Sequence, residues 1–369
     1  MISISLCMIV KNEETVLARC LDSLKELVDE IIIVDTGSTD MTKEIASTYT
    51  NQIYDFIWND NFSDARNFSF SKATKDYIYV ADADEVLDEE NQKQLFQLKQ
   101  VLLPEIEIVQ MKYVTKSDFN TVLNAKKEYR PKLFRRQRSF LWVDPIHETV
   151  RLEPVVFDSD IEILHIPESM HQKRDFGIFL KFYEENKTLS NKIRSMYAKE
   201  LMICGESKDF SDAKPVFTNY LSSPEANNPD NASYAKEATC ILLKTARLEN
   251  DFAYLLQYSL NDMLTTPCSE ACLEIGLFFM EQNLFDTAIL WFYNAAFETT
   301  SILNLHSQGD LPLFYLCECY RALADHLSRE SISTSGEQFL SIKTQIEEYC
   351  TLADTYESKA KSFELPEEL

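Results

Sequence analysis

A chain of 369 residues, 45% hydrophobic and 26% charged, has the make-up of an ordinary globular protein of two or three domains. Its formal charge of −24 argues against duplex nucleic acid as a partner, because a phosphate backbone would be repelled. The acidic excess suits either a basic polypeptide or simple solubility.

No run reaches the roughly 18 apolar residues of a membrane span. The opening Met1–Cys7 lacks the basic start of a secretion signal and reads as a strand, so the cytoplasm is the expected location. The nine cysteines are scattered without paired zinc-site spacing, and they read as reduced, small apolar residues.

From the start, short β-rich runs alternate with helical stretches. Ser3–Val10 is expected to be a buried strand, and Glu13–Leu27 a helix with Val16, Leu17, Cys20, Leu21, Leu24 and Leu27 on one face. Glu30–Val34 is apolar after its first residue, as a parallel strand covered on both faces should be. Asp40 is expected to cap a helix that runs to Ser47. Gln52–Trp58 (strand), Ser63–Ala73 (helix) and Tyr77–Ala81 (strand) continue the alternation. Such a pattern predicts an α/β domain whose mostly parallel sheet binds ligands beyond the carboxyl ends of its strands.

After Pro104 the helical crossovers shrink. Ile106–Thr115, Tyr129–Arg135, Val150–Phe157 and Ile161–His165 read as further strands of a mixed sheet. From about Lys173 strand patterns disappear. Asp209-Phe210, Asp251-Phe252 and Leu284-Phe285 each follow one apolar helix and open another, a weak repeat of irregular spacing near the 34 residues or so of a tetratricopeptide unit. A plain helical bundle is the alternative. The expected domains are 1–170 and 171–369, the second able to dimerise.

Asp82-Ala83-Asp84 directly follows the fourth strand, so two carboxylates stand at a strand's carboxyl end. They can hold a hard divalent cation whose shell a diphosphate completes. Asp35 to Asp40 closes the second strand. Gly37, the first glycine of the chain, marks a tight turn there and turns Asp35 toward the same crevice.

The strings Ser5–Glu14, Asp35–Asp40, Trp58–Asn67 and Asp82–Glu85 resemble family 2 glycosyltransferases, inverting enzymes of GT-A fold. The likeness is to the bacterial subgroup with a tetratricopeptide-like C-terminal domain, which includes peptide glycosyltransferases of bacteriocins. The resemblance implies a UDP-sugar donor and Mn2+ or Mg2+. It implies that Met8, Ile9, Val10, Asn12 and Glu13 lie at the nucleotide, and that Asp35 hydrogen-bonds the base. Arg66 would contact the nucleotide, with a surface salt bridge as its alternative. Asp82 and Ala83 would border the ribose or sugar, and Asp84 would ligate the metal, with Asp82 a second candidate.

A later cluster, Tyr129–Arg136, Trp142–Glu148 and Ile163–His165, also resembles the family. An inverting transferase needs a base beside its acceptor, and Glu148 is the first candidate, His147 the second. His165 is expected to complete the metal shell, and Arg130 and Arg135 to neutralise the departing diphosphate. Neither a Gln-x-x-Arg-Trp motif nor a membrane helix is present, which favours transfer of a single sugar. A polypeptide acceptor docked on the helical domain is the leading expectation. A lipid or glycan acceptor and a noncatalytic scaffold are the rivals.

Overall fold

The structure, a computed structural model, describes residues 1–115, 126–150, 154–166, 172–331 and 337–366. The chain divides into two compact units, Met1–Phe182 with Pro366, and Tyr183–Leu365.

The first unit is built from β1 (Ile4–Val10), α1 (Leu17–Leu24), β2 (Glu30–Asp35), α2 (Thr42–Ser47), β3 (Ile53–Asp55), α3 (Phe62–Lys72), β4 (Tyr77–Val80), β5 (Glu85–Val86) and α4 (Glu89–Val101). There follow β6 (Ile108–Thr115), β7 (Lys127–Arg135), the short β8 (Trp142–Val143) and β9 (Thr149–Val150), β10 (Val156–His165) and α5 (Gln172–Asn186), which crosses into the second unit.

Eight strands form one mixed sheet in the order β3-β2-β1-β4-β7-β6-β10-β5. β3, β2, β1 and β4 are parallel; β7 runs against both β4 and β6, and β10 is parallel to β6. The carboxyl ends of β1, β2, β4, β6 and β10 therefore share one edge. The connection from β4 to β5 crosses that edge. Five residue steps reach at most about 18 Å, while four strand spacings of about 4.8 Å come to about 19 Å. The sheet must curl for β5 to pair with β10, and this draws Asp82-Ala83-Asp84 over the ends of β7 and β6.

The core follows from the sequence. β1 and β2 send Ile4, Leu6, Met8, Val10 and Ile33 to one face, where they meet Leu17, Cys20, Leu21 and Leu24 of α1. Cys7, Ile32, Ile78 and Phe134 pack on the other face with Trp142. Two expected strands change. Gln52–Trp58 shrinks to β3, because the Trp58 indole N–H turns to Asp60 Oδ1 (2.8 Å) and Asp60 takes φ 60°. Val156–His165 is continuous, with a register shift between Asp158 and Glu162.

The second unit is helical: α6 (Asn191–Cys204), α7 (Ser207–Leu221), α8 (Ala232–Leu248), α9 (Phe252–Met263), α10 (Ser269–Glu281), α11 (Phe285–Tyr293), α12 (Asp310–Ser331) and α13 (Glu337–Lys361). The α8–α9 and α10–α11 turns are alike. Asn250 and Asn283, 33 residues apart, take φ 55° and 58°. The next residues, Asp251 and Leu284, donate to carbonyls five positions back, at 2.8 and 2.9 Å. A left-handed residue closes both helices in the same way. Gly276 lets α11 approach, since a Cβ there would lie 2.6 Å from the Phe292 ring.

Candidate active site

The first wall of the edge is the turn after β2. Asp35 is 1% exposed. Its Oδ1 accepts the Gly37 and Ser38 N–H groups, both at 3.0 Å, and Gly37 takes φ 105°, a conformation open to glycine at little cost. Asp35 thus builds the turn as well as facing the edge. Its second oxygen, Oδ2, is buried without a hydrogen-bond partner, although Lys43 Nζ stands 3.7 Å from Oδ1. A buried acceptor left open costs free energy unless a ligand donor fills it.

The second wall is the loop after β4. His165 ends β10, and the pairing of β5 with β10 sets it against this loop: His165 is opposite Glu85, and Ile166 N–H donates to Asp84 O at 3.0 Å. Arg19 of α1 holds the Ile166 carbonyl at 2.8 Å. His165 Nε2 consequently lies 3.0 Å from Asp84 Oδ2, and its ring packs on Tyr113 of β6. Two neighbouring ligands of an octahedral ion at about 2.1 Å would be about 3.0 Å apart. The Asp84–His165 pair has this spacing, which is also that of an ordinary hydrogen bond; its carboxylate suits Mn2+ or Mg2+, and its imidazole suits a transition ion. Asp82 is exposed and does not join them: among the described residues no three such side chains come together.

Three cations stand around Asp82, and each has a glutamate of its own. Lys132 Nζ meets Glu85 Oε1 at 2.5 Å with both side chains buried. Arg130 pairs with Glu128 and lies 3.6 Å from the Tyr113 ring centre. Arg66 donates to Glu148 Oε1 from Nε (2.7 Å) and Nη2 (2.5 Å). Desolvation would raise the Asp82 carboxyl, but the charges of Lys132, Arg66 and Arg130 hold it below its ordinary value. Burial pushes Glu85 the other way, up to about 7, against the pull of Lys132. Among the described residues neither Asp82 nor Asp84 has a lysine or arginine as salt-bridge partner.

The third wall is the β8–β9 hairpin. Asn67 of α3 clamps it: Nδ2 donates to Trp142 O (3.0 Å), and Oδ1 accepts Trp142 N–H (2.8 Å). Phe62 N–H donates to Pro145 O, and Ser63 Oγ to Asp144 O. Trp142 in turn carries the Arg66 guanidinium 4.8 Å from its ring centre. The hairpin thereby delivers Glu148 to Arg66. His147 takes φ 50° and lays its ring along the buried Phe179, 5.9 Å between centres.

Several expected site residues are placed elsewhere. Met8 and Val10 are 1% and 2% exposed and belong to the core, so their side chains cannot line a base pocket; Ile9 alone of the three reaches the surface. Asn12 and Glu13 clasp the Asp35–Asp40 loop. Asn12 N–H donates to Ser38 Oγ, Asn12 Oδ1 accepts Thr39 N–H, and Glu13 N–H donates to Thr42 Oγ1. Ala83 is buried. Arg135 pairs with Tyr77 at the amino end of β4, since β7 is antiparallel. Five residues, about 16 Å of strand, separate that level from Asp82, so Arg135 does not serve this edge. Lys132, Glu85, Asn67 and Trp142 lie in the strings that carry the resemblance but have no role assigned from the sequence, and Glu128 lies just outside them; the alternate spacing of Glu128, Arg130 and Lys132 is the available signal.

A curled, mostly parallel sheet with an Asp-x-Asp loop laid across its carboxyl edge is the GT-A fold, the class of nucleotide-sugar transferase domains. Residues 5–150 match the model described as glycosyl transferase family 2. The chain is 49% identical over 87 residues to a TPR repeat-containing protein of Synechococcus elongatus, a match covering 24% of this chain and 22% of that one. It is 36% identical over 97 residues to the SPbeta prophage-derived glycosyltransferase SunS of Bacillus subtilis (26% and 23%). An uncharacterized glycosyltransferase of Rickettsia typhi is 37% identical over 92 residues (25% and 31%). The chain spans between 22% and 31% of the length of these curated relatives.

Proposed function

We propose that the first unit transfers one sugar from a UDP-sugar to an acceptor nucleophile with inversion. The contact of Asp84 Oδ2 with His165 Nε2 at 3.0 Å, from elements 81 residues apart, carries the reading. Those two side chains would hold Mn2+ or Mg2+, which when bound offsets charge on the diphosphate. Asp35 Oδ2, buried and open, offers an acceptor to an N–H of the base. Arg66 and Arg130 face the diphosphate, and Asp82 the ribose or sugar.

Glu148 is the proposed base. In the structure Arg66 donates to its Oε1 from two nitrogens. The acceptor's electron pair attacks the anomeric carbon as its proton passes to Glu148. The bond from that carbon to the phosphate oxygen breaks, and UDP leaves with the pair. His147 is the weaker candidate, because its ring is engaged with Phe179.

A polypeptide is the preferred acceptor. The repeated helix–turn–helix units of the second unit and the acidic charge of the chain support it. The test is a panel of UDP-sugars with and without Mn2+, read as UDP release, with Asp84→Ala beside the wild type. Metal-dependent release from one donor, lost in the variant, is expected. Full release by Asp84→Ala would sink the metal assignment. For the acceptor, transfer to a candidate peptide is read by mass; transfer only to lipid or glycan would refute the peptide reading.

A further inference from the structure

Each cation around Asp82 is already spoken for by a carboxylate, and the three pairs are not equally fixed. The side chains of Glu85 and Glu128 are 2% and 6% exposed. Glu148 is 12% exposed, and Arg66 beside it 13%. Glu85 belongs to the main sheet through β5, and Glu128 through β7. Glu148 hangs on a hairpin of two two-residue strands outside that sheet. Of the three glutamates it is the one most easily parted from its cation.

Arg66 spends two N–H groups on a single oxygen, Glu148 Oε1. A guanidinium presents five donors in a fixed fork that matches a phosphate as well as it matches a carboxylate. A diphosphate arriving over Asp82 therefore competes with Glu148 for the same fork. While Arg66 donates twice to Oε1 the carboxylate is held in place with that oxygen engaged, and parting the pair frees it to turn to the acceptor.

We infer that Arg66 is a donor-operated latch on the base. Without donor it holds Glu148; the diphosphate draws Arg66 away and so releases Glu148 to take the acceptor's proton. Binding is then ordered, donor before acceptor, and Arg66 acts on proton transfer as a positioning residue through Glu148. This rests on the UDP-sugar reading above.

The experiment is calorimetric titration of the full chain with UDP in the presence of Mn2+. Glu148→Gln removes the competitor, and UDP should bind about tenfold more tightly, the scale of one charged pair exchanged for another. In an Arg66→Gln background the same substitution should change nothing. An unchanged or weaker affinity in folded Glu148→Gln would overturn the latch. So would tightening that persists in the Arg66→Gln background, since it would report only the loss of a negative charge. If Glu148→Gln does not fold, Glu148→Asp keeps the charge but shortens the reach. It should also tighten UDP, and failure to do so overturns the inference. If wild type itself does not bind UDP with Mn2+, the UDP-sugar reading falls and the latch with it.

Discussion

Replacing Asn67 with alanine should release the β8–β9 hairpin from α3. One side chain makes both bonds to one residue, donating to Trp142 O at 3.0 Å and accepting Trp142 N–H at 2.8 Å. Trp142 is 8% exposed, so water does not readily replace either bond. A buried peptide group left unpaired costs about 1–3 kcal/mol, which puts the loss of two at about 2–6 kcal/mol. Spent on local opening, that multiplies the opening constant roughly 30- to 20,000-fold. Hydrogen exchange over Trp142–Val150 is the assay. Amides of the paired residues Val143 and Thr149 should exchange faster by that factor, while β1 and β2 keep their protection. UDP release should fall further than UDP affinity, because the proposed base Glu148 is displaced and the Asp84–His165 pair is not. Asn67→Asp keeps the acceptor oxygen, loses the donor, and should show about half the free-energy effect. Unchanged exchange in the hairpin of Asn67→Ala would refute the clamp.

Other expectations follow from the same geometry. Arg135→Ala should leave the affinity for UDP with Mn2+ unchanged while Arg130→Ala lowers it; a loss at Arg135 in the same titration would contradict its place at the amino end of β4. Glu270, fully buried at the start of α10, accepts the Ile302, Leu303 and Asn304 N–H groups at 2.9, 2.7 and 3.0 Å. Glu270→Ala orphans all three and should destabilise the helical unit by about 3 kcal/mol or more, read as an earlier urea transition in far-ultraviolet circular dichroism; an unmoved midpoint would count against it. Glu30 accepts Ser5 Oγ, the Thr74 N–H and hydroxyl, and Gln52 Nε2. Desolvation raises its carboxyl, yet these bonds together hold it below its ordinary value of 4.5. A depressed carboxyl stabilises the fold fully above 4.5 and loses that contribution as pH falls through the folded value. Glu30→Gln should therefore cost about 1–2 kcal/mol at neutral pH, a figure trimmed for partial exposure. The gap to wild type should close on acidification below 4.5, and a gap independent of pH in urea melts would exclude this account.

Much of the molecule was legible in the sequence. The uniform apolar run of β2 and the helical spacing from Val16 to Leu24 depend on neighbours within a few residues, and both elements formed. Gly37 marked the turn after β2, because a backbone angle is a local property. Asp251-Phe252 and Leu284-Phe285 marked helix starts, whereas Asp209-Phe210 lies inside α7, which opens at Ser207; the left-handed asparagines that precede the first two came into view only with the structure. Asp82 and Asp84 were recognisable as edge carboxylates from the apolar strand before them.

What the tertiary structure alone decided is which distant residues meet. His165 finds Asp84 because the sheet curls until β5 pairs with β10. Arg66 and Glu148, 82 residues apart, became one ion pair through a hairpin clamped by Asn67. Arg135 left the site because β7 is antiparallel, and Met8 and Val10 left it because the pleat turns them into the core. Strand direction and the face a side chain takes are set by long-range pairing and by burial of the whole apolar face, and spacing along a single chain does not encode them.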